Sequence, residues 1–175
     1  SGGSPGIRLQ TFCEESYEFH TLIDPIATFC YQPMPDQPVI KIVPGKPERF
    51  LAIAPTIRAV GESFDVKFKG EDKWGNPSNK CDCQFTLRAT HQVEGLPKKV
   101  KLSSGQFAGL ISGLRVHEPA DFVIEFLDDS GVLVCATNPI RIEDAPTSRH
   151  FWGDLHGQSE ETIGTGTAEA FLKFP

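Results

Sequence analysis

The sequence predicts a mainly β protein whose central part is an antiparallel β-sandwich. Apolar and polar residues alternate with period two over several short stretches, as in half-buried strands. The 16 Gly and 14 Pro among 175 residues disfavour long helices and favour turns. Apolar residues make up 39% of the chain, which is enough for a buried core and too much for a disordered protein.

Residues 1–55 are predicted to form a β-rich lead-in segment. Its short apolar stretches are separated by prolines and by a Pro-Gly-Lys-Pro turn at residues 44–47. The predicted strands lie at residues 8–12, 17–23, 39–43 and 50–54.

Residues 56–146 are predicted to form the sandwich. Phe64, Val66 and Phe68 alternate with charged residues, and Asp128-Asp129-Ser130-Gly131 predicts a hairpin turn. Further strands are predicted at residues 83–89, 99–102, 106–111, 122–127, 132–136 and 138–142. About seven short strands over about 90 residues are typical of an immunoglobulin-like sandwich. The phenylalanines at alternating positions are expected in its core.

Charge and cysteine content limit the partners and the compartment. The chain has 17 Lys and Arg against 23 Asp and Glu, so its net charge is −6. It contains no basic cluster of the kind that binds nucleic acid, which disfavours a nucleic-acid partner. The longest apolar runs are too short to cross a membrane as a helix. Five cysteines, an odd number, favour reduced thiols and a cytoplasmic location. The sequence leaves the oligomeric state open.

Two local features of the predicted sandwich allow alternatives. Cys81 and Cys83 stand at alternate positions, which disfavours a disulfide between them, and no second cysteine pair supports a zinc site. We therefore expect free thiols there. Trp74 precedes a Gly-Asn-Pro turn and belongs either to a carbohydrate-binding loop or to the plug of the sandwich end, with the plug favoured.

Residues 147–175 are predicted to be a linker and the first strand, loop and helix of a truncated α/β domain. Thr167 is a candidate cap for a helix over residues 168–173. Asp154, His156 and Gln158 project from one face of an extended strand. A carboxylate and an imidazole side by side suit a divalent metal. The alternative is a surface loop with an incidental histidine.

The segment Phe151-Trp152-Gly153-Asp154-Leu155-His156-Gly157-Gln158-Ser159, with residues 161–167, resembles the opening of a domain in a large group of uncharacterised bacterial proteins. That domain is related to the polymerase-and-histidinol-phosphatase superfamily, metal-dependent phosphoesterases built on a distorted β/α barrel. Their first barrel strand carries Asp-x-His-x-His. In this group an immunoglobulin-like β region precedes the barrel, in the order predicted here.

The resemblance implies site residues and a function. His156 would be a metal ligand, Asp154 a ligand or a carboxylate that orients the histidine, and Gln158 replaces the second histidine. The chain would be the non-catalytic front of a metal-dependent hydrolase that orients or shields a downstream catalytic barrel of the same protein. The complete protein would hold a divalent metal of the Zn, Mn or Fe class, whereas this chain alone is expected to hold none and to be inactive. The alternative is a carbohydrate- or protein-binding module without enzymatic role.

Overall fold

A computed structural model describes residues 6–149 and Thr167 of the chain. The described residues form 14 β-strands and no helix, which confirms the mainly β class. The strands are β1 Glu14–Glu18, β2 Leu22–Ile23, β3 Gln32–Pro33, β4 Val39–Ile42, β5 Arg49–Ile53, β6 Ile57–Ala59, β7 Phe64–Glu71, β8 Cys83–Ala89, β9 Lys99–Leu102, β10 Gly109–Leu114, β11 Ala120–Phe122, β12 Ile124–Leu127, β13 Leu133–Ala136 and β14 Ile140–Glu143.

Two sheets build the sandwich. The first has the antiparallel order β10-β7-β5, and the second the order β13-β12-β8-β9. A third small sheet, β11-β14-β6, prolongs the hairpin of β12 and β13 beyond an interruption at Val123. In it β6 runs parallel to β14, so one pair departs from the predicted antiparallel arrangement. The sheet β10-β7-β5 packs on the sheet β13-β12-β8-β9, in the two-sheet plan of immunoglobulin-like sandwiches.

The core lies between the two sheets. Phe68 of β7 contacts Phe85 of β8 and Phe126 of β12, with ring centroids 6.3 and 5.2 Å apart. Phe64 and Val66, on the same face of β7, are also buried, as their alternation predicts. The phenylalanines of the sandwich strands are therefore core residues.

Strand β5 belongs to the sandwich, although the sequence assigns it to the lead-in. Its residues Arg49–Ile53 pair with β7 over five positions, from Arg49 opposite Glu71 to Ile53 opposite Lys67. The division of the chain at residue 56 stays a prediction, but the sheet itself includes residues before it. The strand itself is predicted, at residues 50–54, but its pairing with β7 is not, because local alternation does not report which strand lies beside it.

The lead-in forms two small sheets of its own, β1 with β4 and β2 with β3. The strand predicted at residues 8–12 is wrong, because this stretch makes no ladder and its Thr11 carbonyl accepts a hydrogen bond from the Asn76 side chain instead. The predicted helix over residues 168–173 lies outside the described residues.

The cysteine prediction is also wrong. Cys81 and Cys83 form a disulfide, with their Cα atoms 5.6 Å apart, within the range that a disulfide spans. Strand β8 begins only at Cys83, so Cys81 lies in an irregular segment and its side chain is not held to the alternation of a strand. Cys13, Cys30 and Cys135 are free.

Candidate functional site

The predicted metal ligands lie outside the described residues. This applies to Asp154, His156 and Gln158, so their roles stay predictions. Across residues 6–149, no group of three or more His, Cys, Asp and Glu side chains is placed to hold a metal ion. The same range contains no helix long and apolar enough to cross a membrane.

The chain leaves the sandwich beside the turn between β6 and β7. Val60 N donates to the Glu143 carbonyl at the end of β14, with an N···O distance of 3.0 Å. The Arg149 guanidinium lies 2.9 Å from the Glu62 carboxylate, which also accepts a hydrogen bond from the Ala59 N–H. The Ala59 bond, joined by the charge of Arg149, lowers the pKa of Glu62 against the effect of burial. These contacts fix the start of the segment that leads to His156.

A cleft of about 250 Å³ opens at the same end of the sandwich, between the β8–β9 loop and the β10–β11 loop. Two imidazole–carboxylate pairs line it: His91 with Glu118, 3.2 Å apart, and His117 with Glu94. The hydrogen bond from His117 lowers the pKa of Glu94. Each pair is self-contained, and the four groups do not converge on one point as metal ligands would. No sequence spacing indicates this cleft, because its two halves come from separate loops.

The lead-in is fastened to the sandwich by Asp72 and Asn76. Both side chains are buried. Asp72 Oδ2 accepts a hydrogen bond from Gly45 N at 3.0 Å, and Asp72 Oδ1 accepts bonds from the backbone of Trp74 and Asn76. Asn76 in turn donates from Nδ2 to the Thr11 carbonyl and accepts from Cys13 N, at 2.8 and 2.9 Å.

The electrostatics of Asp72 follow from this network. Burial by itself raises the pKa of the carboxyl group, but the hydrogen bonds from Gly45, Trp74 and Asn76 outweigh it and lower the pKa to about 2. The charged form of Asp72 therefore persists to a lower pH than that of an ordinary aspartate. The Asp72 carboxylate has a structural role, because its hydrogen bonds connect Gly45 in the lead-in to the turn at Trp74 and Asn76.

A second cleft, of about 290 Å³, lies at this junction. It is lined by Gln10, Lys46, Glu48, Lys73 and Trp74, among others. The Trp74 side chain is 52% exposed, so the prediction that it plugs the sandwich end is wrong. The hydrogen bonds that Asp72 accepts from the backbone of Trp74 and Asn76 hold this turn in a conformation that leaves the indole exposed to solvent. Lys73 Nζ lies 4.9 Å from the centroid of the Trp74 ring.

Fold and clefts together define a mainly β sandwich module with a β-rich lead-in. No family model matches the chain. It is 24% identical over 167 residues to an uncharacterised protein of Chlamydia muridarum, a match that covers 94% of this chain and 27% of that protein. It is also 24% identical over 173 residues to an uncharacterised protein of Chlamydia trachomatis serovar D, with 98% and 28% covered.

A third relative, an uncharacterised protein of Chlamydia pneumoniae, is 23% identical over 167 residues, with 94% of this chain and 27% of that protein covered. The chain therefore spans about a quarter of the length of the curated relatives that it matches. These distant relatives carry no named activity.

Proposed function

We propose that this chain is the non-catalytic front module of a longer, phosphoesterase-like, metal-dependent hydrolase, and that it orients or shields the catalytic barrel. The observation that carries the proposal is the coverage of the relatives. Nearly all of this chain matches only 27–28% of proteins that are several times longer. A module of this kind has the rest of its protein as its natural partner.

Two features of the chain support the enzymatic part of the proposal. The segment with Asp154 and His156 resembles the first barrel strand of metal-dependent phosphoesterases. The sandwich end from which the chain continues is anchored by the ion pair of Arg149 with Glu62 and by the hydrogen bond from Val60 N to the Glu143 carbonyl of β14. A fixed exit limits the orientations of whatever follows it.

The metal chemistry rests on groups beyond the described residues. His156 would supply an imidazole nitrogen and Asp154 a carboxylate, which are common donors to divalent Zn, Mn and Fe. Bound metal would supply Lewis acidity and an activated water. Gln158 offers only a neutral amide oxygen in place of the second histidine, so the number of metal ions held is expected to be smaller than in an Asp-x-His-x-His site.

The test uses the full-length protein of the same reading frame. Turnover of a generic phosphate ester is measured with added Zn²⁺ or Mn²⁺ for the wild type, for His156→Ala, and for His20→Ala as a control at an exposed histidine of the lead-in. The proposal expects turnover that His156→Ala abolishes and His20→Ala leaves intact. Turnover that persists in His156→Ala, or no turnover with any metal, contradicts it.

The exposure of Trp74 favours a second candidate function, carbohydrate binding. An exposed indole beside a cleft with Gln10, Lys46 and Glu48 combines a flat apolar surface with hydrogen-bonding groups, as sugar sites require. Isothermal titration calorimetry of the 175-residue chain with a panel of oligosaccharides tests it. Saturable binding that Trp74→Ala removes and Phe107→Ala retains supports this function, and no binding by any sugar contradicts it.

The cytoplasmic location also stays a proposal. The odd number of cysteines favours it, whereas a disulfide such as Cys81–Cys83 is typical of oxidising compartments. Thiol trapping in freshly lysed cells, followed by mass spectrometry of the peptide that contains both cysteines, measures its state in the cell.

A further inference from the structure

The lead-in carries an apolar arm that the sandwich does not cover. The arm consists of β2, β3 and the loop between them, residues 22–33, and its tip is residues 24–31. Ile26 and Phe29 in the tip are 77% and 87% exposed. Leu22, Ile23 and Tyr31 are exposed as well. Large apolar side chains grouped in this way on a soluble protein mark an interaction surface.

The tip is preorganised. The Asp24 carboxylate accepts hydrogen bonds from Thr28 N and Phe29 N, at 3.0 and 2.6 Å, and from the Thr28 hydroxyl. These bonds, the one to Thr28 N foremost, lower the pKa of Asp24. The backbone at Ala27 and Phe29 is left-handed, with φ of 54° and 62°. Bulky residues avoid this region, so the hydrogen bonds of the loop hold Phe29 in a backbone conformation that it would not prefer by itself.

The base of the arm is also held. Met34 N donates to the Thr21 carbonyl at 3.0 Å, and Gln37 Oε1 accepts from Thr21 N while its Nε2 donates to the Met34 carbonyl. The arm is therefore a braced hairpin rather than a loose loop, and it presents a fixed apolar shape. Little further ordering is required when such a shape binds.

The chemistry of the tip defines its partner. Residues 25–35 contain no charged side chain, and the Asp24 carboxylate is occupied by its own loop. Such a surface fits an apolar recess rather than a charged groove. The matched stretch of the relatives takes in nearly all of this chain, so about three quarters of each relative lies outside it. That polypeptide supplies ample surface within the same molecule.

We propose that the tip of the arm inserts into an apolar recess in the remaining part of its own full-length polypeptide. The proposal rests on the proposed function, in which that part is the catalytic barrel, and it names the contact by which the front module orients the barrel. Ile26 and Phe29 would be the anchors. Covering them within one molecule removes a surface that otherwise promotes association.

Cys30 provides a native probe, because it is a free and exposed thiol between Phe29 and Tyr31. Its alkylation rate by a maleimide is measured by peptide mass spectrometry in the 175-residue chain and in the full-length protein. Docking predicts at least tenfold slower alkylation in the full-length protein. Equal rates in the two proteins overturn the proposal.

Variants separate docking from other causes of protection. In the full-length protein, Ile26→Ser with Phe29→Ser should restore the fast rate. Val132→Ser, which changes a solvent-facing apolar residue (61% exposed) in the β12–β13 turn, should leave Cys30 protected. In the 175-residue chain none of these changes should alter the Cys30 rate, because no docking partner is present there, and the circular dichroism spectrum should match that of the wild type if the lead-in stays folded. A rate that stays slow in the double variant overturns the proposal.

The other occupants are outcomes of the same assay. Protection that disappears on dilution of the full-length protein indicates a second copy, and protection that requires phospholipid vesicles indicates a membrane surface; either result overturns the proposal. Unprotected Cys30 together with His156-dependent turnover overturns the docking and leaves the proposed function standing. Protected Cys30 without any metal-dependent turnover supports docking and overturns the hydrolase.

Discussion

Asp72→Asn is expected to lower the free energy of unfolding of the 175-residue chain by about 3 kcal/mol at neutral pH. The structure fixes the magnitude in two ways. The pKa of Asp72 falls from 3.8 to about 2 on folding. At about 1.4 kcal/mol for each pKa unit, this is worth about 2 kcal/mol. An amide nitrogen in place of one carboxylate oxygen also leaves a buried donor, such as Gly45 N or Asn76 Nδ2, without an acceptor, which costs about 1–3 kcal/mol and partly overlaps with the first contribution.

Urea unfolding followed by tryptophan fluorescence measures the change, with Asp129→Asn in the exposed β12–β13 turn as the matched control. Because folding depresses the pKa of Asp72, its contribution is complete above the unfolded-state pKa and is lost as the pH falls through the folded-state value. The difference between wild type and variant should therefore be constant above about pH 5 and shrink progressively as the pH falls from about 5 to about 1. A loss below about 1 kcal/mol at neutral pH, or a difference that does not change with pH, would refute the stabilising role of the buried Asp72 carboxylate.

Three further predictions concern the sandwich. Phe126→Ala, at a fully buried position between the sheets, should cost about 3–5 kcal/mol in urea unfolding; a loss below about 1 kcal/mol would contradict the packing. Gly109→Ala should destabilise the chain by about 1–3 kcal/mol, because a Cβ there would lie 2.2 Å from Phe68 Cζ, and the Phe68→Leu background should recover part of the loss. Cys135, whose pKa burial raises to about 11, should react with iodoacetamide at pH 8 much more slowly than Cys30; equal rates would show that it is open to solvent.

The strands that the sequence predicts well are those with local patterns. Strand β9 lies at the predicted residues 99–102, and β8 at residues 83–89, because alternation on a half-buried sheet is written into neighbouring residues. The turn at Asp128 is likewise local, since its carboxylate accepts hydrogen bonds from Ser130 N and Val132 N. These features need no knowledge of distant partners.

The features that the sequence misses depend on distant partners or on chain direction. The parallel pairing of β6 with β14 joins residues about 84 positions apart. The exposure of Trp74 follows from the hydrogen bonds of Asp72 and Asn76 on either side of it. Their partners in the lead-in are Gly45 for Asp72, and Thr11 and Cys13 for Asn76. Phe29 is exposed at the tip of the arm, where its backbone is left-handed and its N–H donates a hydrogen bond to Asp24. The alternation of apolar residues in the sequence does not indicate this bond.

The candidate metal site rests on sequence alone, since residues 150–166 lie outside the described part of the chain. The two predicted ligands, Asp154 and His156, are too few for a hydrolytic metal centre, which requires further donors and an open position for water. We therefore propose metal binding for the complete protein and not for the 175-residue chain.

The metal content of the full-length protein distinguishes a metal-dependent hydrolase from a protein without a metal site. Zn, Mn and Fe are measured by inductively coupled plasma mass spectrometry in the purified full-length protein, in its His156→Ala variant and in the 175-residue chain. We expect at least one equivalent of metal in the full-length protein, a marked loss in His156→Ala, and none retained by the 175-residue chain alone. A 175-residue chain that retains a stoichiometric metal through His156, or a full-length protein that carries none and takes up none, would contradict it.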